Sequence, residues 1–206
     1  VDEKRMPPID RWAVQNDLFS LCVSGDEQVR NYLDFSDAYF DEDSYLASVN
    51  VAHNLASLYF RAFDEPFIEE IRSYTVNYFR KILSNLGWEP KKSDKHTDAL
   101  LRTFTIAVLG KMNDDTVTDE AIKKYKKFLK SPRSLSPDLI ETICSIAAWN
   151  GNSKTFVELK KLYTNAKTME EKLRFLGAMC GFQDKKLLVK TLDFSQTSEV
   201  RSQNMQ

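Results

Sequence analysis

The residues able to hold a metal or attack a carbonyl are few in this chain, and their spacing limits what they can do. A catalytic zinc needs three protein ligands converging on one point, commonly with two histidines a helical turn apart. Only His53 and His96 occur, in separate segments, and neither has an acidic or histidine partner at ligand spacing. Both are expected to be structural. Cys22, Cys144 and Cys180 stand far apart among apolar neighbours. That pattern reads as reduced, buried thiols in a reducing, cytoplasmic compartment rather than a disulfide frame. The acid clusters Asp41-Glu42-Asp43 and Asp114-Asp115 lack the alternating ligands and glycine of a calcium loop and read as acids at helix starts. Lys123, Lys124, Lys126 and Lys127 surround Tyr125 in the densest basic cluster. With Tyr125 and Phe128 facing inward, these lysines read as the solvated face of one helix. No glycine-rich phosphate loop and no Gly-x-Ser-x-Gly elbow occurs. The expectation is a chain with no catalytic residue, no metal ligand and no cofactor of its own.

Those side chains must be positioned by a fold, and composition narrows the choice. The 206 residues are 42% hydrophobic and 12% aromatic, enough to bury a substantial core. Six glycines and six prolines are too few to turn the many short strands of an all-β protein, so helices are expected. The 29 basic and 30 acidic residues nearly cancel, which removes the global field that would draw the chain to nucleic acid or to an anionic membrane. No apolar run approaches the roughly 20 residues of a membrane-spanning helix. A start at Val1 without methionine and an end at Gln206, where another helix is beginning, suggest a piece of a longer protein.

Apolar periodicity and breakers divide the chain into helices. Trp12, Gln15, Phe19 and Cys22 recur at helical spacing beside Val14, Leu18 and Leu21, with Gly25 as a left-handed cap. Asp26 is expected to cap a short helix, and the acids at 41–43 to open a third with a stripe through Tyr45, Val49, Ala52, Ala56 and Tyr59. Asp64-Glu65-Pro66 starts the longest pattern, two apolar faces wide, which Gly87 stops. After a polar loop over 89–95, a helix runs through Leu101 and Val108, and Thr118 is expected to cap the next, built on Ala121, Tyr125 and Phe128. Ser136-Pro137-Asp138 opens another, with the serine hydroxyl as cap, and Thr168 with Glu171 forms a capping box. A piece with Leu187, Leu188 and Leu192 follows, and Ser198 is expected to cap one more helix. The expected fold is all-α: one domain over 1–206, an α-α superhelix of stacked antiparallel hairpins in the HEAT and armadillo manner.

The order of these breaks resembles a known family. Arg11-Trp12-Ala13-Val14-Gln15-Asn16-Asp17-Leu18 is similar to the segment that opens the C-terminal helical domain of zinc aminopeptidases of the aminopeptidase N, puromycin-sensitive and tricorn-interacting-factor group. Glu42-Asp43-Ser44-Tyr45 resembles the entry to that domain's long helix, and Gly87-Trp88 followed by Leu100-Leu101-Arg102 its Gly-Trp break and the helix after it. Leu135-Ser136-Pro137-Asp138-Leu139 and the late segment from Ser198 to Asn204 match in order, with Asn204 replacing an acid.

The resemblance implies a parent aminopeptidase whose zinc-binding catalytic part lies upstream and whose last helices lie downstream of this chain. It further implies that the chain walls and lids a chamber for peptide substrates. Arg11, Arg102 and Arg174 are the candidates for touching a peptide carboxylate there, because a guanidinium pairs well with that group. The competing role for each is to brace neighbouring helices. A free-standing helical-repeat adaptor, binding a protein or peptide on a concave face, is the alternative to the aminopeptidase reading.

Overall fold

The computed structural model describes residues 6–42, 44–62 and 64–201. Among them ten α-helices and two short 3-10 turns are found, and no strand, so the all-α class holds. The helices are α1 (Pro8–Ser24), α2 (Val29–Ser36), α3 (Tyr45–Arg61), α4 (Ile68–Leu86), α5 (His96–Lys111), α6 (Asp115–Lys130), α7 (Pro137–Trp149), α8 (Ser153–Asn165), α9 (Met169–Met179) and α10 (Lys185–Ser195). They fall into two compact units, residues 1–108 and 109–206.

In the first unit α1 packs on α2 and α3, and α3 packs on α4. Pro8 at the first position needs no hydrogen-bond partner for its missing N–H, which suits α1's start. Gly25, at φ 86°, ends α1 as expected: its N–H reaches the Cys22 carbonyl and the Asp26 N–H reaches that of Leu21, a Schellman closure. Asp26 does not cap α2. Gln28 holds that position without a side-chain bond, and the Asp26 carboxylate instead accepts from the Ser24 hydroxyl. The α3 stripe is wider than the expected one, with Ala52, Ala56 and Tyr59 buried as expected. Ala47, Val51, Ala52 and Leu55 are fully buried, while Tyr45 and Val49 are only half-buried. Small residues on α3 let other helices approach closely, which makes it the central rod of this unit. Tyr78 and Phe79 on α4 fill the layer beside it, and the Phe79 ring meets Phe104 of α5 edge-on at 5.7 Å.

In the second unit α6 packs on α7, and α7 and α8 both pack on α9. Ile143, Cys144, Ala147, Leu159, Ala178 and Met179 are the innermost residues. Three-residue connections join α7 to α8 and α8 to α9, short enough to keep consecutive helices packed together. The Thr168–Glu171 capping box at α9 is present as expected, and Asn152 with Thr155 makes a second one at α8. Two expected caps are corrected. Thr118 lies inside α6, whose cap is the buried Asp114 accepting from the Val117 N–H at 2.9 Å. Ser136 precedes Pro137 but its hydroxyl makes no cap bond. The helix expected after Ser198 lies outside the described residues beyond Arg201, as does Asp43 of the acid triplet.

Candidate functional site

The most constrained polar chemistry lies in the first unit. Arg11 is the side chain that α1 turns inward, although its helix is flanked by apolar residues that stay at the surface: Val14 is 41% and Leu21 47% exposed. Of the expected stripe of Trp12, Gln15, Phe19 and Cys22, Gln15 is buried and the other three are half-buried. The Arg11 guanidinium forms a bidentate pair with Glu42, Nε to Oε2 and Nη2 to Oε1 both at 2.7 Å, and Nη1 donates to the Met6 carbonyl at 2.7 Å. Glu42 Oε1 also accepts from the Ser44 N–H, so one carboxylate joins α1 to the entry of α3. Both side chains are shielded from water, at 4% and 1% exposure, where a bidentate ion pair keeps most of its strength. Tyr39 closes the corner by donating to the Arg11 carbonyl at 2.7 Å. Burial, with the Glu42 carboxylate as a second cause, pushes the Tyr39 hydroxyl up to about 12.

One turn along α1, Gln15 is fully buried at the centre of a second network. Its carbonyl oxygen accepts from Tyr32 at 3.0 Å and from Asn54 at 3.1 Å, and its amide nitrogen donates to Asn50. Gln15 thus ties α1 to α2 and α3. Its place on the helical stripe was visible in the sequence, but its partners were not.

Arg102, 1% exposed, solves a different problem. The last carbonyls of a helix have no partner within it, and α4 ends against Gly87 at φ 70°. Arg102 donates to the Gly87 carbonyl at 3.0 Å and to that of Leu86 at 3.2 Å, and pairs with Asp94 at 2.5 Å. One guanidinium therefore caps α4 and anchors the loop that follows. The Lys91 N–H, and after it Arg102, holds the Asp94 carboxyl below its ordinary value. Arg174 lies elsewhere, in the second unit, paired at the surface with Glu170 one turn earlier on α9. Of the three candidate arginines, Arg11 and Arg102 thus act as braces inside the first unit, and Arg174 pairs along its own helix in the second.

A hollow of about 340 Å³ opens beside these braces, between the first turns of α3 and α5 and the end of α4. Ser48, Ile82 and Leu101 lie along it with the acids Asp41, Glu42 and Asp98 and the cation Lys95. Its acids are already engaged locally. Asp41 pairs with Lys81 at 2.8 Å, Glu42 with Arg11, and Asp98 accepts from the Lys95 N–H. The hollow can take a small polar or mixed side chain, and nothing in its lining provides a nucleophile with an adjacent base.

Donors for the implied zinc do not converge. His53 stacks on Phe104 at 4.1 Å between ring centres, and His96 is exposed in the first turn of α5. Among the described residues no group of three or more histidines, cysteines or acids is placed to hold a metal. The residues here do not fit a catalytic zinc. The three thiols are unpaired, but not uniformly buried as expected: Cys144 is buried, Cys22 half-buried and Cys180 exposed at the end of α9. Burial pushes the Cys144 thiol up to about 12 and so keeps it protonated. Among the described residues no helix is long and apolar enough to cross a membrane.

Comparison with known proteins fits the resemblance read from the punctuation. The family model described as the ERAP1-like C-terminal domain matches residues 1–206. Aminopeptidase M1-A of Oryza sativa subsp. japonica is 25% identical, over 99% of this chain and 24% of the relative. Aminopeptidase M1 of Arabidopsis thaliana is 24% identical over 98% of this chain and 24% of the relative. The mitochondrial aminopeptidase 2 of Saccharomyces cerevisiae is 24% identical over 95% of this chain and 21% of the relative. The chain therefore spans about a quarter of the length of these curated relatives. With the family model matched from end to end and the all-α architecture in place, the chain belongs to the ERAP1-like C-terminal domain family.

Proposed function

We propose that this chain is the non-catalytic C-terminal domain of a zinc-dependent aminopeptidase, and that its hairpins stack into a wall and lid over the chamber where peptides are trimmed. The observation that carries this reading is the family match over residues 1–206, joined to relatives that are named aminopeptidases and are about four times as long. In this reading, peptide-bond hydrolysis and the metal belong to polypeptide outside this chain. The contribution made here is steric: rigid helix pairs shape access to the chamber and move as a body when it closes. The buried braces on Arg11 and Arg102 support such a role, because a wall that gates must hold its own shape. The unpaired thiols support a reducing compartment such as the cytoplasm.

The test compares the purified 206-residue chain with the full-length protein by metal analysis and by hydrolysis of a chromogenic aminoacyl substrate. The chain alone is expected to hold no stoichiometric zinc and to cleave nothing, whereas the full-length protein does both. Stoichiometric zinc bound tightly by the chain alone contradicts the reading. So does a full-length protein that lacks aminopeptidase activity.

A further inference from the structure

We propose that the solvent face of α6 is a docking surface for an acidic segment of a partner protein. This stands independently of the aminopeptidase reading. The nearly neutral total of the chain conceals a division. Residues 1–108 carry 12 basic against 18 acidic side chains, a net of −6, and residues 109–206 carry 17 against 12, a net of +5. The basic residues of the second unit are densest over 123–133, the later part of α6 and the turn after it, a stretch with no acid.

Val117, Ala121, Tyr125 and Phe128 face inward on that helix, which leaves Lys123, Lys126, Lys127, Lys130 and, just beyond, Arg133 exposed. Lys123 is answered by Glu120 at 3.2 Å. Among the described residues, Lys126, Lys127, Lys130 and Arg133 have no carboxylate within ion-pair distance. Lysines three and four positions apart on one helix face repel each other, and only those in the last turn gain from the dipole. That mutual repulsion is relieved when carboxylates are brought to the cluster.

The stripe from Lys123 to Lys130 is about 10 Å long at the helical rise. An acidic segment with carboxylates one and two helical turns apart matches that spacing. Nucleic acid fits less well. The aromatic rings of this helix, Tyr125 and Phe128, are buried, so no stacking platform accompanies the charge. A membrane surface fits less well too, because the exposed face of α6 presents no large apolar side chain beside its lysines to enter a bilayer.

The test uses the full 206-residue chain and a fluorescein-labelled octaglutamate peptide at low salt, followed by anisotropy. Two triple variants remove the same charge from the same unit, K126Q/K127Q/K130Q on α6 and K185Q/K186Q/K190Q on α10, and circular dichroism checks that each keeps its helix content. All six lysines are exposed. The α6 triple is expected to raise the dissociation constant about tenfold and the α10 triple less than twofold, because specific pairing and not net charge is lost. Equal weakening by both triples overturns the assignment, as does failure of octaglutamate to bind at low salt. Tighter binding of a single-stranded oligonucleotide or of phosphatidylserine vesicles than of octaglutamate also overturns it.

Discussion

The two halves of this chain fix their helices by different means. In residues 1–108 the core contains Arg11, Gln15, Asn54 and Arg102, each bonded to a residue far away in sequence. In residues 109–206 the buried polar side chains among the described residues are Asp114, Thr142 and Thr191, and the helix ends are held by caps within a few positions, beside long-range bonds from Tyr163 and Gln183 to backbone carbonyls. Directional long-range bonds specify one arrangement of helices but fail together when one partner is lost. Local caps and apolar contacts fail separately and by smaller steps. The first half should therefore be brittle and the second graded.

The largest effect expected from this contrast is at the Arg11–Glu42 pair. Glu42→Ala takes the bidentate carboxylate away from a buried guanidinium, and breaking such a buried pair costs about 3–5 kcal/mol. Urea denaturation followed by the fluorescence of Trp12, which lies on α1, is expected to show an early transition in this variant. The double variant R11M/E42L, which removes both charges and keeps apolar volume, should recover most of the loss. If the single variant costs less than about 1 kcal/mol, the pair behaves as a surface bridge and the contrast between halves collapses.

Packing supplies the next test, in the second half. A Cβ added at Gly110 would stand 2.5 Å from both Cγ1 and Cδ1 of Ile146 and 3.2 Å from its Cγ2. Gly110→Ala should therefore cost about 1–3 kcal/mol through overpacking. Combining it with Ile146→Ala should cost less than the sum of the two single changes, because the second change opens the space the first one needs. Strict additivity in a thermal-melt cycle would show that α5's last turn and α7 do not meet closely there.

This contrast also explains what could be read from the residues alone. The Schellman closure at Gly25, the break at Gly87 and the box at Thr168 and Glu171 were legible because each involves neighbours within about six positions. The caps at Asp26 and Thr118 were misread because an acid or hydroxyl near a helix start is common, and only backbone geometry decides which one serves. The braces were the least legible. Nothing in the letters links Arg11 to a glutamate 31 positions on, or Arg102 to carbonyls 15 and 16 positions back. Periodicity on α1 marked the buried Gln15 but not Arg11, which the helix buries while Val14 and Leu21 stay exposed. Long-range polar pairing overrides hydrophobic periodicity where both groups find partners, and no single-sequence pattern carries that information.

A smaller effect belongs to the capping box of α9. Thr168→Ala removes the acceptor for the Glu171 N–H and should cost about 1 kcal/mol, with α9 fraying from its first turn. Hydrogen exchange at residues 169–172 is the measurement that separates this local loss from global unfolding. Protection that falls across α7, α8 and α9 alike would mean that the second half is as cooperative as the first.

The smallest effect is in the acid limb, and it bears on both halves at once. Asp94 accepts from the Lys91 N–H and from Arg102, and Glu171 accepts from the N–H groups of Lys167 and Thr168; both carboxyls are held below their ordinary values of 3.8 and 4.5. A carboxyl lowered by folding adds stability that is fully present above its unfolded value and is lost as the pH falls through its folded one. Both contributions are therefore intact at neutral pH and fade below about pH 4. Asp94→Asn and Glu171→Gln should each flatten the fall in melting temperature over that acid range. The Asp94 change should also lower the neutral-pH melting temperature more, because Arg102 then loses the partner that fixes it over the end of α4. An equal neutral-pH cost at the two positions would show that Arg102 holds α4 through its carbonyl bonds alone. The loop over 87–95 would then be a passenger on the first half rather than part of its bracing.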